Sequence, residues 1–393
     1  MSRSRWADRS GRRRVVLAAA LLGLVLVIAF SVAVFAPDPA ADAGPGHSAS
    51  VAAGVPLPPV PAPVADDGVA GDMADNAAEN GMADAVAKAK ADGEGGLRVP
   101  ATTAEAFARI APVSRVKPLP EDADPSLLET LDGNLAVPRP GADGRVPWQA
   151  YAGPFDRTDD RPRVVIVVSG LGLSDAATDA AIERLPGAVS LAFVPEARDL
   201  AAHLRAARRY GHETLAMLAL ESADFPFEDP GPGTLTADAD EGQNLLRLNR
   251  VLAAAPGSVG VLAVGGTRFA RAEAAVRQVL RALGARGVLL ADASGGGAAL
   301  LAGEAARLDL PRVVVDSVID ETLDAAAIDA RLAGLEEQAR RNHVAVGLIQ
   351  PRPVSLQRTR AWLDTLAEKR LVLAPLSAVV GAQIRTNSIG AGR

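Results

Sequence analysis

From Arg163 onward the sequence predicts an α/β fold, a (β/α) barrel that is distorted and seven- or eight-stranded, with a doubly wound sheet as the alternative. Three observations predict it. Short β-rich runs alternate with longer segments of helical spacing, the order of a parallel sheet and its crossovers. The runs are apolar at nearly every position, as in Val164-Val165-Ile166-Val167-Val168, so both of their faces are buried. Seven or eight such units in roughly 230 residues suit a barrel, and one transmembrane helix and a disordered linker are expected ahead of it.

Residues 1–14 form a basic stub carrying Arg3, Arg5, Arg9, Arg12, Arg13 and Arg14. Residues 15–36 follow without a charge, and as a helix they would span about 33 Å against a hydrocarbon core of about 30 Å. The positive flank keeps the amino end cytoplasmic, so the expected placement is a single pass through the inner membrane with the body on the extracytoplasmic side. The alternative is a signal peptide cleaved after Ala33-Val34-Phe35-Ala36, but the apolar run exceeds the usual h-region of about 7–15 residues. Residues 37–100 are rich in Pro, Ala and Asp and contain no aromatic residue and no Ile, so they read as a disordered linker that cannot bury enough surface to offset the entropy of ordering. Residues 101–160 read as a small adaptor, with helical patterns at Thr103 to Ile110 and Pro125 to Leu131. Trp148 and Tyr151 follow as an aromatic clasp that packs rather than binds.

The barrel is expected over residues 161–380, with a disordered tail at 381–393. Its strands are expected at 163–169, 188–194, 213–219, 259–264, 287–292, 312–316, 343–349 and 371–374. Between them, Val276, Val279, Leu280 and Leu283, and again Ile328, Leu332, Leu335 and Ala339, recur at the spacing of one helical face.

Composition removes several functions. The 393 residues hold 47 Asp and Glu against 41 Lys and Arg, 3% aromatics and no cysteine. A disulfide scaffold, a thiol nucleophile and a cysteine zinc site are excluded. A mildly acidic chain with few stacking platforms is not expected to bind nucleic acid.

In α/β folds of this kind ligands bind beyond the carboxyl ends of the strands, so the residues that follow each strand are the informative ones. Polar groups there are sparse: Glu221, Arg268, Asp292 and Asp316 form the candidate pocket, the alternative being a salt-bridged rim that holds the loops. None of the four histidines sits at a strand's carboxyl end, and each is expected to be solvated or capping rather than a metal ligand. Gly170 and Gly172 begin a dinucleotide fingerprint whose third glycine is replaced by Asp175. Ser294-Gly295-Gly296-Gly297 could offer amides to an anion or serve as a flexible connection. No Gly-x-Ser-x-Gly elbow occurs.

The order of several segments resembles the divergent polysaccharide deacetylase family: Val165 to Gly172, Gly211-His212-Glu213, Asp229-Pro230-Gly231-Pro232, Gly266-Thr267-Arg268-Phe269, and Asp316 with Val318-Ile319-Asp320. The resemblance covers about Pro147 to Val379. It implies a deacetylase-type (β/α) barrel, envelope carbohydrate as substrate class, and a divalent metal in active relatives. Where such relatives carry an Asp-Asp pair, a histidine, an Asn-Asn-His run and a Gly-His-Pro, this chain has Ser169-Gly170, Met217, Leu262-Ala263-Val264 and Gly347-Leu348-Ile349. With the apolar segment at 15–36, the resemblance points to a membrane-anchored, envelope-facing deacetylase-like domain, acting in carbohydrate metabolism or cell-wall binding and catalytically degenerate. No cofactor and no catalytic residue are assigned. The expected partner is an envelope polysaccharide, a peptidoglycan fragment or an envelope protein. Two alternatives stand: an active hydrolase using a carboxylate site, with a divalent metal, and a structural scaffold for an envelope enzyme.

Overall fold

Strand β3 (Arg163–Leu171) starts the barrel, and β4 (Ser190–Phe193), β5 (Thr214–Leu220), β6 (Gly260–Gly265) and β7 (Leu289–Ala293) follow in spatial as well as chain order. The computed structural model describes residues 103–113, 117–227 and 231–382. Beyond β7 come β8 (Arg312–Val314), β9 (Ser317–Val318), β10 (Val344–Ile349) and β11 (Val372–Leu373). All pairings in this sheet are parallel. β10 lies along the other side of β3, and β11 fills the amino end of the gap between β3 and β4. The apolar runs expected as strands all pair, and β9 is an addition.

The sheet curls into a half-barrel whose two ends share one stretch of chain. β8 pairs with β7 and β9 pairs with β10, yet only Val315 and Asp316 separate β8 from β9. The Val315 amide donates to the Asp292 carbonyl of β7 at 3.0 Å, and the Asp316 amide donates to the Val346 carbonyl of β10 at 2.9 Å. A single kinked segment thus passes from one edge of the sheet to the other.

Two apolar layers follow from the alternation of each strand. Val165 and Val167 of β3, Leu289 and Ala291 of β7, and Val344 and Val346 of β10 belong to an inner cluster. Val164, Ile166 and Val168, with Leu290, Ala345 and Ile349, pack outward against helices. Those helices are α3 (Asp175–Arg184), α4 (Leu200–Arg209), α5 (Glu241–Ala254), α6 (Glu273–Ala285), α7 (Ala302–Arg307), α8 (Ala325–Asn342) and α9 (Pro353–Leu363), counted after α1 (Thr103–Ala108) and α2 (Pro147–Ala150). Ser174, Asp240 and Asp324 accept from the third residue beyond them and so cap α3, α5 and α8. The apolar faces expected on α6 and α8 are the buried ones.

The adaptor differs from expectation at one point. Pro125–Leu127 is a 3₁₀ turn, and Leu128 onward is not helical but forms β1 (Leu128–Leu131), paired antiparallel with β2 (Leu135–Pro138). The turn between them uses Gly133 at φ 78° and Asn134 at φ 61°, a hairpin connection that a helix at Pro125 to Leu131 would forbid. Tyr151 is buried, accepts from the Asp124 amide at 3.1 Å and lies 5.3 Å from the Arg208 guanidinium. With Leu127, Leu376 and Val379 it belongs to the inner cluster and plugs the amino-terminal end of the barrel.

The expected membrane helix at 15–36, the linker at 37–100 and nearly all of the 381–393 tail lie outside the described residues. Among the described residues no helix is long and apolar enough to cross a membrane.

Candidate functional site

The carboxyl ends of β4, β5 and β6 surround a small cavity of about 60 Å³. Its walls are mostly apolar, Val194, Met217, Ala219 and Val264 among them, with Glu196 and Thr234 as polar members. The space holds a few waters or one small group, not a sugar ring. Met217 faces the end of β3, where the register shifts between Val168 and Leu171. There the Gly170 amide donates to the Met217 sulfur at 3.0 Å, and the Ser169 hydroxyl donates to the Ile349 carbonyl at 3.2 Å.

Two glycines make this turn. Gly170 sits at φ 77°, with open space where a Cβ would stand. Gly172 sits at φ 93°, and a Cβ there would lie 2.4 Å from that of Ala197. The Gly172 amide donates to Thr178 Oγ1 at 2.9 Å. Both amides of the incomplete dinucleotide fingerprint are thus used inside the protein, which removes the phosphate-cradling reading.

The four candidate residues divide. Glu221, 2% exposed at the end of β5, accepts from Arg268 Nη1 at 2.7 Å and from the Ala237 amide at 2.6 Å. Its carbonyl accepts from the Arg268 and Phe269 amides, and Arg268 also bonds Asp238 at 2.5 Å. Glu221 and Arg268 therefore meet, in a network that holds the loops after β5 and β6 together. Asp292 is fully buried on the outward-facing side of β7. It accepts from the Ser294 amide and hydroxyl at 3.1 and 2.5 Å and from the Leu301 amide at 3.0 Å. The anion held by the Ser294–Gly297 turn is thus the protein's own Asp292. Asp316 accepts from the Val346 amide at 2.8 Å, bracing the kinked segment against β10. None of the four lines the cavity between β4, β5 and β6.

The histidines are not solvated as a class. His203 Nε2 lies 3.7 Å from Asp175. His212 is fully buried, with Nδ1 2.8 Å from the Val189 carbonyl and Nε2 2.9 Å from the Ile182 carbonyl near the end of α3. Burial pushes its pKa down against the pull of both carbonyls. His212 caps, as expected of it, but inside the core. Among the described residues no three or more His, Asp or Glu are gathered as metal ligands.

One buried acid escaped sequence reasoning as a site residue. Glu213, at the amino end of β5, accepts from the Gly153 amide at 2.6 Å, the Ser377 amide at 3.1 Å, the Ser190 hydroxyl at 3.4 Å and the Ser377 hydroxyl. Burial pushes its pKa up, opposed by these bonds. The Gly211-His212-Glu213 triplet thus joins adaptor, sheet and carboxyl-terminal segment at the pole away from the cavity.

The family described as divergent polysaccharide deacetylase matches residues 166–380, more than half of the chain. The crystal structure of an uncharacterized protein from Agrobacterium tumefaciens C58 is similar at a TM-score of 0.60 and 34% sequence identity, covering 62% of this chain and 99% of that one. No curated relative matches at comparable stringency.

Proposed function

The chain belongs to the divergent polysaccharide deacetylase family, and from that premise we propose that it is a glycan-binding member whose barrel mouth has lost metal-assisted deacetylation. The observation that carries this reading is the Met217–Gly170 contact beside Val264. At positions where active relatives are expected to carry metal ligands, the mouth presents a thioether already engaged by an amide and an aliphatic side chain. Hydrolysis of an acetamide by this route needs a Lewis acid to polarise the carbonyl and to lower the pKa of bound water from about 15.7 towards 7. Hard divalent cations take oxygen or imidazole ligands, and hydrophobic side chains supply neither. The donor set present does not fit such a cation. Glu221 is committed to Arg268 and Ala237, and Asp292 to Ser294 and Leu301, so neither carboxylate is free to act as acid or base.

What supports a carbohydrate ligand is the family and the place of the mouth at the carboxyl ends of the strands, where such barrels bind; its cavity of about 60 Å³ takes a small substituent of a sugar and not the ring. The same reading includes the membrane anchor at residues 15–36 and an envelope polysaccharide or peptidoglycan fragment as partner. Calorimetric titration of the purified chain with chitooligosaccharides and peptidoglycan fragments tests it. Saturable binding is expected, and Met217→Arg, which puts a charge into the mouth, is expected to weaken it by about tenfold or more in a chain that is still folded by circular dichroism, at some cost in melting temperature. Absence of binding to every glycan, or binding indifferent to Met217→Arg, overturns the reading.

A further inference from the structure

A larger cavity lies at the opposite pole, where β3 and β10 begin. It measures about 770 Å³, within the range of small-molecule sites, and is open to solvent. Arg157, Arg161 and Arg163 line it from the segment entering β3, Arg341 and His343 from the end of α8, and Ala378, Val380, Gly381 and Ala382 form a further wall.

The cations here have unequal commitments. Arg161 is neutralised by Asp159, with Nη2 to Oδ2 at 2.6 Å and Nε to Oδ1 at 3.0 Å. That pairing, with the Arg161 amide, holds the Asp159 carboxyl down at about 2. Arg163 forms no direct ion pair with a carboxylate among the described residues, although its charge also helps to hold the Asp159 carboxyl down. Its Nη1 donates to the Ala378 carbonyl at 3.4 Å, its Nη2 to the Asp159 carbonyl at 3.3 Å, and its guanidinium lies 5.0 Å from the Phe155 ring. These contacts aim the charge without cancelling it. Arg157 and Arg341 are exposed and make no hydrogen bond or ion pair among the described residues. The further acid in the lining is Asp160. Three unneutralised guanidiniums against one carboxylate leave two net positive charges around one cavity. Like charges so gathered repel unless an anion joins them, and a guanidinium fork matches the oxygens of a phosphate group.

We propose that this cavity binds a phosphate-bearing ligand, with Arg157, Arg163 and Arg341 as its anion-binding groups. A dianionic phosphate matches the charge balance better than a single carboxylate. The site is independent of the mouth, because Arg163 opens β3 while the mouth lies past the strand's other end.

The test is calorimetry on the full-length chain with two probes, inorganic pyrophosphate and a water-soluble short-chain phosphatidic acid, with short-chain phosphatidylcholine as the control for the acyl chains. Saturable binding of at least one phosphate probe is expected. Comparable affinities for the two mean that the phosphate itself is recognised, and binding of the lipid alone means that a headgroup is. Arg157→Glu/Arg341→Glu is expected to weaken binding by about tenfold or more. Arg250→Glu/Arg281→Glu, the same charge change on exposed positions of α5 and α6, is expected to leave it unchanged. Should the first pair fail to fold by circular dichroism, Arg157→Gln replaces it with the same expected direction. Binding of neither probe, or equal weakening by both pairs, overturns the proposal.

Discussion

Glu213 takes a carboxylate to zero exposure and surrounds it with two amides and two hydroxyls. Removing it strands those donors. Glu213→Ala is expected to cost about 3–5 kcal/mol, as for other broken buried charge sites, read by urea unfolding at neutral pH. Glu213→Gln should cost less, about 1–3 kcal/mol, because only one oxygen is replaced by an amide among donors. His212 yields a pH prediction of definite sign. Its folded pKa is depressed below 6.5 by burial, so the unfolded chain binds the extra proton first. Its contribution is present above that value and is lost as pH falls through the folded pKa. The protein should therefore lose stability as pH falls below about 6.5, and in His212→Gln that slope should flatten even if the variant is less stable throughout. An unchanged slope would remove His212 from the account. Neither role was legible in the sequence, because Glu213 finds partners 60, 23 and 164 residues away.

Among the elements, the strands were the legible part. Val164 to Val168 is apolar throughout because β3 is covered on one side by helices and on the other by the barrel interior, and the same holds for β10. The sequence predicts one strand at Arg312 to Asp316, and the structure extends the pairing to Val318. The segment is two short strands because it leaves β7 for β10, a change of partner that no local pattern encodes. The helical reading of Pro125 to Leu131 failed because the Gly133-Asn134 turn outweighed the helical spacing before it. Close strand contact also sets a steric test. A Cβ on Gly260 would stand 2.0 Å from the Leu289 carbonyl oxygen across the β6–β7 ladder. Gly260→Ala should therefore cost about 3 kcal/mol or more and lower the yield of soluble protein, measured by thermal unfolding. A variant as stable as the parent would mean that β6 and β7 are spaced differently.

Taken whole, the molecule places unlike chemistry at its two poles. At the carboxyl ends of the strands, the residues singled out as a possible pocket serve architecture: Glu221 and Arg268 tie two loops, Asp292 braces the glycine turn and Asp316 the kinked segment. The sequence showed that polar groups were present there, but not that each was already engaged, since the partners include backbone amides at Ala237, Leu301 and Val346. At the amino ends, the arginines of residues 157–163 and 341 come from distant parts of the chain, and only the fold brings them to one cavity. The central claim is that the apolar mouth around Met217 and Val264 cannot support metal-assisted deacetylation. It is tested most directly by measuring acetate released from N-acetylated chitooligosaccharides and peptidoglycan by the purified chain, with zinc, magnesium, manganese or cobalt supplied in turn. The account predicts release no greater than the metal-only blank, and turnover that depends on one of these metals would contradict it.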